Sequence, residues 1–140
     1  MLDRARLGVS PSFHIGHRYS YGDALGDSIL GETRSAKLLP VATAFALGML
    51  PTLHDDSPML PANAFHPMRT AVLGKARSGR VLGADQAITI EQAIRAMTIH
   101  RAHQLGVEKQ IGSIEVEKWA DLHKCRARTR VRRRPSNSTR

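Results

Sequence analysis

GETRSAKLLPVATAFALGMLPTLHDDSP, residues 31–58, is the stretch whose reading decides the fold. Pro40 suits a first helical turn and Gly48 the position just past a last one, so VATAFAL between them reads as a short apolar helix. MLPTLH, residues 49–54, then reads as a buried strand. Pro51 counts against that strand, because a proline within a central strand removes a ladder hydrogen bond. The run ends in His54, Asp55 and Asp56, followed by Ser57 and Pro58. Helix followed by strand is one step of an α/β unit.

Working outward, the opening residues through Leu7 read as the end of a helix stopped at Gly8, and VSPSFHIG as a second buried strand. RYSYGDALGDSILGE is rich in glycine and polar residues and reads as a long loop leaving that strand. On the other side, a helix is expected from about Pro67 through Ala76, with RSGRVLGAD as a turn-rich connection. Thr89 and Gln92 have the spacing of a capping box, and Gly106 supplies a stop. Between them Ile94, Met97, Thr98, Ala102 and Leu105 share one helical face, which places His100 and His103 on a solvated face.

At 140 residues the chain fits one domain but falls far short of the roughly 250 residues of a closed (β/α) barrel. Cys125 is the sole cysteine, so an intramolecular disulfide is excluded and a reduced, cytoplasmic setting is the default expectation. No stretch approaches the roughly 18 apolar residues of a membrane span, and no signal-peptide pattern opens the chain. The net charge of +9 is concentrated rather than spread. Residues 1–122 carry 13 basic and 12 acidic side chains, whereas residues 123–140 carry eight Lys and Arg and no acid. That tail lacks periodic apolar residues and reads as disordered.

Chemistry concentrates in TLHDDSP, residues 52–58. Carboxylates at the C-terminal mouth of a parallel strand can bind a divalent metal and take a proton from water, although the same motif also suits an N-capping or turn aspartate. His17 follows the first strand, and His14, three residues earlier, points to the opposite face of an extended strand, which argues against its sharing a site with His17.

LGVSPSFHIGHRYSYGD, the 31–58 stretch, ITIEQAIRAMTIHRAHQLG and GSIEVEKWADL occur in an order and at spacings that resemble the amidohydrolase superfamily. The branch resembled contains the N-substituted formamide deformylases, and the match runs from about Leu2 to Leu122. The resemblance implies an α/β fold: a helix-dominated partial (β/α) barrel comprising the last two strand-helix units. It implies hydrolysis of amide or formamide-type, non-peptide C–N bonds by a metal-activated water, the metal usually being zinc. The family's last-strand aspartate falls on Asp56, which makes Asp56 the implied metal ligand and proton acceptor. His17 and Tyr21 fall at positions that imply contact with a small-molecule amide-type substrate.

The family's His-x-His pair and its other histidine ligands have no counterpart in this chain, so the resemblance implies a C-terminal fragment that is inactive and binds no metal by itself. An upstream barrel half would be its partner. Family members continue past GSIExGKxADL into apolar strands, whereas here GSIEVEKWADL turns into arginine-rich sequence, as in a shifted reading frame. The tail leaves an alternative open, a small basic nucleic-acid-binding protein acting through Arg128, Arg130, Arg132, Arg133 and Arg134. The absence of an aromatic platform and the near-neutral body weigh against it.

Overall fold

The computed structural model describes residues 1–124, and apart from His123 and Lys124 the basic tail lies outside the described residues. The described part is a helix-dominated α/β arrangement around two short parallel strands. Helix α1 (Leu2–Arg6) precedes β1 (Ser12–His14), and Gly8 takes the positive φ of a helix stop. Helix α2 (Gly16–Ala24), α3 (Glu32–Ala36) and α4 (Val41–Ala46) cross over to β2 (Thr52–His54). Strand register pairs Ser12 with Thr52, Phe13 with Leu53 and His14 with His54. Pro51 lies just before β2, so the ladder bond it cannot donate is not required there.

RYSYGDALGDSILGE is helical through Ile29, not the loop its composition suggests. Helix α2 runs on into a π-helical turn, Leu25–Ile29. Gly22 and Gly26 serve packing rather than turning, whereas Gly31 takes a positive φ where the helical segment has ended. A Cβ at Gly22 would lie 2.6 Å from Leu82 Cδ1, and one at Gly26 would lie 3.3 Å from the Arg80 guanidinium. Small residues let this helix approach the segment after α5 closely, a reason invisible to local composition.

Helix α5 (Phe65–Leu73) ends at Gly74 in the left-handed region, three residues earlier than expected. The expected last long helix is two, α6 (Ile90–Met97) and α7 (Ile99–Gln104), broken at Thr98. Its capping box is present: Thr89 Oγ1 accepts from the Gln92 N–H, and the Gln92 side chain accepts from the Thr89 N–H.

The buried face agrees only in part with the one the periodicity indicates. Ala102 is buried and Met97 packs against the core, but Ile94 and Leu105 are 48% and 75% exposed, while Ala93, Ala96 and His100 are buried instead. The core presses closely on this helix pair, so alanines are admitted and the branched residues turn outward. His100 is therefore not on a solvated face: its Nδ1–H donates to the Pro51 carbonyl at 3.0 Å. His103 remains exposed. The Gln104 side chain ties β2 to the segment leading into β1, accepting from Thr52 Oγ1 and donating to the Ser10 carbonyl.

The core joins Ile15, Leu39, Val41, Leu53, Ala71, Ile88, Ala93 and Ala96. It seats both strands against α5 and α6 and so fixes where their C-terminal ends emerge. Arg18 is also buried, with Nη2 donating to the Leu39 carbonyl and Nη1 unpartnered. Burial lowers its pKa, with Asp85 acting in the opposite direction. Among the described residues no helix is long and apolar enough to cross a membrane.

Candidate functional site

Because β1 and β2 are parallel and in register at their last residues, both chains emerge at one edge, carrying His14 and Gly16 from one strand and His54, Asp55 and Asp56 from the other. The paired His14 and His54 rings stack, with centroids 4.9 Å apart and planes inclined by 15°. His17 joins them. The expectation that His14 and His17 face apart assumed a continuing strand; instead the strand stops at His14 and α2 starts at Gly16. The turn swings the His17 ring to 3.9 Å from that of His14. Burial lowers the His17 pKa, helped by His14, while Asp56 opposes the shift.

Tyr21 lies one helical turn beyond His17, at 5.7 Å between ring centroids, and its hydroxyl donates to Met59 Sδ at 3.4 Å. Helix α2 is thereby linked to the loop after β2. Gly16 sits where this edge is tightest. A Cβ there would overlap Leu60 Cδ1 and lie 2.7 Å from Asp55 Oδ1 and 3.2 Å from His14 Nε2.

The two aspartates have opposite environments, as adjacent residues of an extended segment should. Asp56 is exposed; its N–H donates to His14 Nε2 at 3.2 Å, and its carbonyl accepts from the Leu60 N–H at 3.0 Å. That contact leaves the neutral His14 ring with its proton on Nδ1. Asp55 turns inward, its side chain 6% exposed, and Oδ2 accepts from His66 Nδ1–H at 2.6 Å. The Tyr19 ring meets His66 edge-on at 4.6 Å. Asp55 Oδ1 and His66 Nε2 are buried and have no partner. Beneath them Arg101 donates to the Leu53 carbonyl; burial lowers its pKa and Asp55 opposes that shift.

Asp56, His17 and Tyr21 thus lie around one edge, together with His14 and His54. The reading from sequence missed His14 and the Asp55–His66 pair. The signal for the pair was the Asp-Asp doublet itself: if one carboxylate faces the mouth, its neighbour must face inward and needs a donor.

Chemically, the edge offers an exposed carboxylate, imidazoles able to donate or accept, and a phenol. It does not fit a complete metal centre. Among the described residues no group of three or more His, Cys, Asp or Glu could hold a metal ion, and His14 Nε2 and His66 Nδ1 are engaged within the protein. A surface cavity of about 200 Å³ lined by Val9, Leu47, Met49 and His103 lies at the opposite end, where the strands begin, away from these groups.

Comparison with known proteins identifies the family. The family model described as "Amidohydrolase family" matches residues 3–137. An N-substituted formamide deformylase from Arthrobacter pascens is 32% identical over 119 residues, which are 84% of this chain and 22% of that protein. The chain thus spans about a fifth of the curated relative's length. No solved structure matches it.

Proposed function

The chain belongs to the amidohydrolase family, and on that footing we propose that it is the C-terminal part of a metal-dependent hydrolase of non-peptide C–N bonds, inactive alone. Its substrate is a small amide or formamide-type molecule, and its setting is the cytoplasm. The architecture is the last two strand-helix units of a (β/α) barrel, residues 1–122, followed by a basic tail that has no part in the chemistry. A divalent metal, zinc by family, belongs to the complete enzyme; its other ligands come from an upstream barrel half.

The observation that carries this reading is Asp56 at the shared C-terminal edge of two parallel strands, where barrel enzymes place their chemistry. Its backbone is held on both sides, by His14 and by Leu60, which leaves the carboxylate free at the mouth. In the assembled site Asp56 takes the proton of the attacking water as its oxygen bonds to the acyl carbon. The same proton goes to the nitrogen as the C–N bond breaks, giving an acid and an amine. His17 and Tyr21 contact the substrate.

Calorimetric titration of the 140-residue protein with zinc should show no binding tighter than that of Asp56→Ala, because one carboxylate does not replace missing imidazoles. Adding a separately expressed upstream barrel half should restore turnover of N-acyl or N-formyl amines. Asp56→Asn should then lower it by on the order of 100-fold or more with association intact. Turnover by the chain alone, or full activity of Asp56→Asn in the assembly, would refute the proposal.

A further inference from the structure

We propose that Asp55 and His66 form a positioning pair that locks the loop bearing Asp56, a role that rests on the reading of Asp56 given above. Asp55 is the first residue after β2 and His66 lies in the first turn of α5, so their 2.6 Å contact closes the ten residues between them into a strap across the strand mouth. Asp56 is the first residue of that strap.

The pair has nowhere else to go. Asp55 Oδ1 and His66 Nε2 are both buried without partners, so the Oδ2–Nδ1 contact is the hydrogen bond available to either side chain. Breaking it would leave a carboxylate and an imidazole buried and uncompensated, which holds the contact closed. Gly16 supports the same geometry, since any Cβ there would intrude on Asp55 Oδ1.

The inward anchor also determines the outward direction. With Asp55 held toward α5, the next side chain must leave on the other side, and Asp56 faces the mouth with its N–H on His14 Nε2. Tyr21 fastens the far side of the strap through Met59. Asp55 additionally balances the charge of Arg101 beneath the strand, so substitutions of Asp55 mix two effects. His66 is the cleaner place to cut.

Amide hydrogen exchange on the intact 140-residue protein tests this without requiring catalysis or zinc, so failure of the hydrolase reading and failure of the pair remain distinguishable. His66→Leu removes the donor, and exchange at the Asp56 and Leu60 amides should rise roughly 10- to 100-fold, as expected for loss of a charge-assisted hydrogen bond. The Ala93 and Ala96 amides of α6 should keep their protection. His66→Gln, whose side-chain amide can donate to Asp55, should recover much of the loop protection. Equal acceleration in the loop and in α6 would make the pair merely structural. Unchanged loop exchange, or His66→Gln no better than His66→Leu, would overturn the proposal. Should His66→Leu not fold, nitrogen NMR of the wild-type protein still decides the contact: the proton must reside on His66 Nδ1, and an Nε2–H tautomer would refute it.

Discussion

The segment from Met49 to Ala102 and the stretch from Val107 to Leu122 are both supplied with apolar side chains, yet the first builds part of the core with them and the second leaves its largest ones exposed. In the first, Leu53, Ala93 and Ala96 are fully buried. In the second, Ile114, Val116, Trp119 and Leu122 are 68% to 92% exposed. The second stretch has no helix or strand and is held by few bonds, among them the Trp119 N–H to the Gln110 carbonyl and Lys118 to Glu115 and Ser113. Hydrophobic composition alone does not bury a residue. A strand or helix must present it repeatedly to a surface that is already there.

Substitution of equivalent residues in the two regions gives the largest expected contrast. Leu53→Ala should cost about 2–5 kcal/mol, because it empties a closed site between the strands and α6. Ile114→Ala should stay within about 0.5 kcal/mol. Urea denaturation of both variants checks this, and similar losses would mean that the second stretch packs after all.

A smaller effect, of opposite sign, is expected at Glu117. It is the one non-glycine residue with positive φ among the described residues, at 72°, and it stands where the family pattern GSIExGKxADL has glycine. Left-handed backbone costs a non-glycine residue about 1–2 kcal/mol. Glycine also loses more freedom on folding, so Glu117→Gly should stabilise by roughly 1 kcal/mol or less. Thermal unfolding of the variant measures it, and a lower midpoint would indicate that the Glu117 backbone is not strained.

The smallest effect is one of pH. Burial lowers the His100 pKa and Arg95 and His103 add to the shift, while the Pro51 hydrogen bond opposes it. The folded protein therefore takes up this proton less readily than the unfolded chain. Stability from this site is intact above the ordinary imidazole value of about 6.5 and falls as pH drops through it, levelling off below the lowered folded value. His100→Gln, which keeps a donor near the Pro51 carbonyl, should flatten this part of the pH–stability curve. An unchanged slope would assign the acid sensitivity elsewhere.

Several features could be read from the sequence because their causes are local. Gly8 stops α1, Pro40 and Gly48 bracket α4, and Thr89 with Gln92 starts α6, each through backbone groups within a few residues. The strand ending at His54, just before Asp55 and Asp56, was legible for the same reason, as was the family resemblance. Tertiary structure decided what depends on distant partners. Gly22 and Gly26 belong to a continuous helical segment because Leu82 and Arg80 pack against them from more than 50 residues away. Ala96 rather than Ile94 faces inward because the core approaches closely. His14 meets His17 because β1 ends at His14. Asp55, not Asp56, is the buried carboxylate because His66 waits at the start of α5. Sequence periodicity gives each side chain a direction relative to its own backbone, but only the neighbours brought by folding determine which direction is inside.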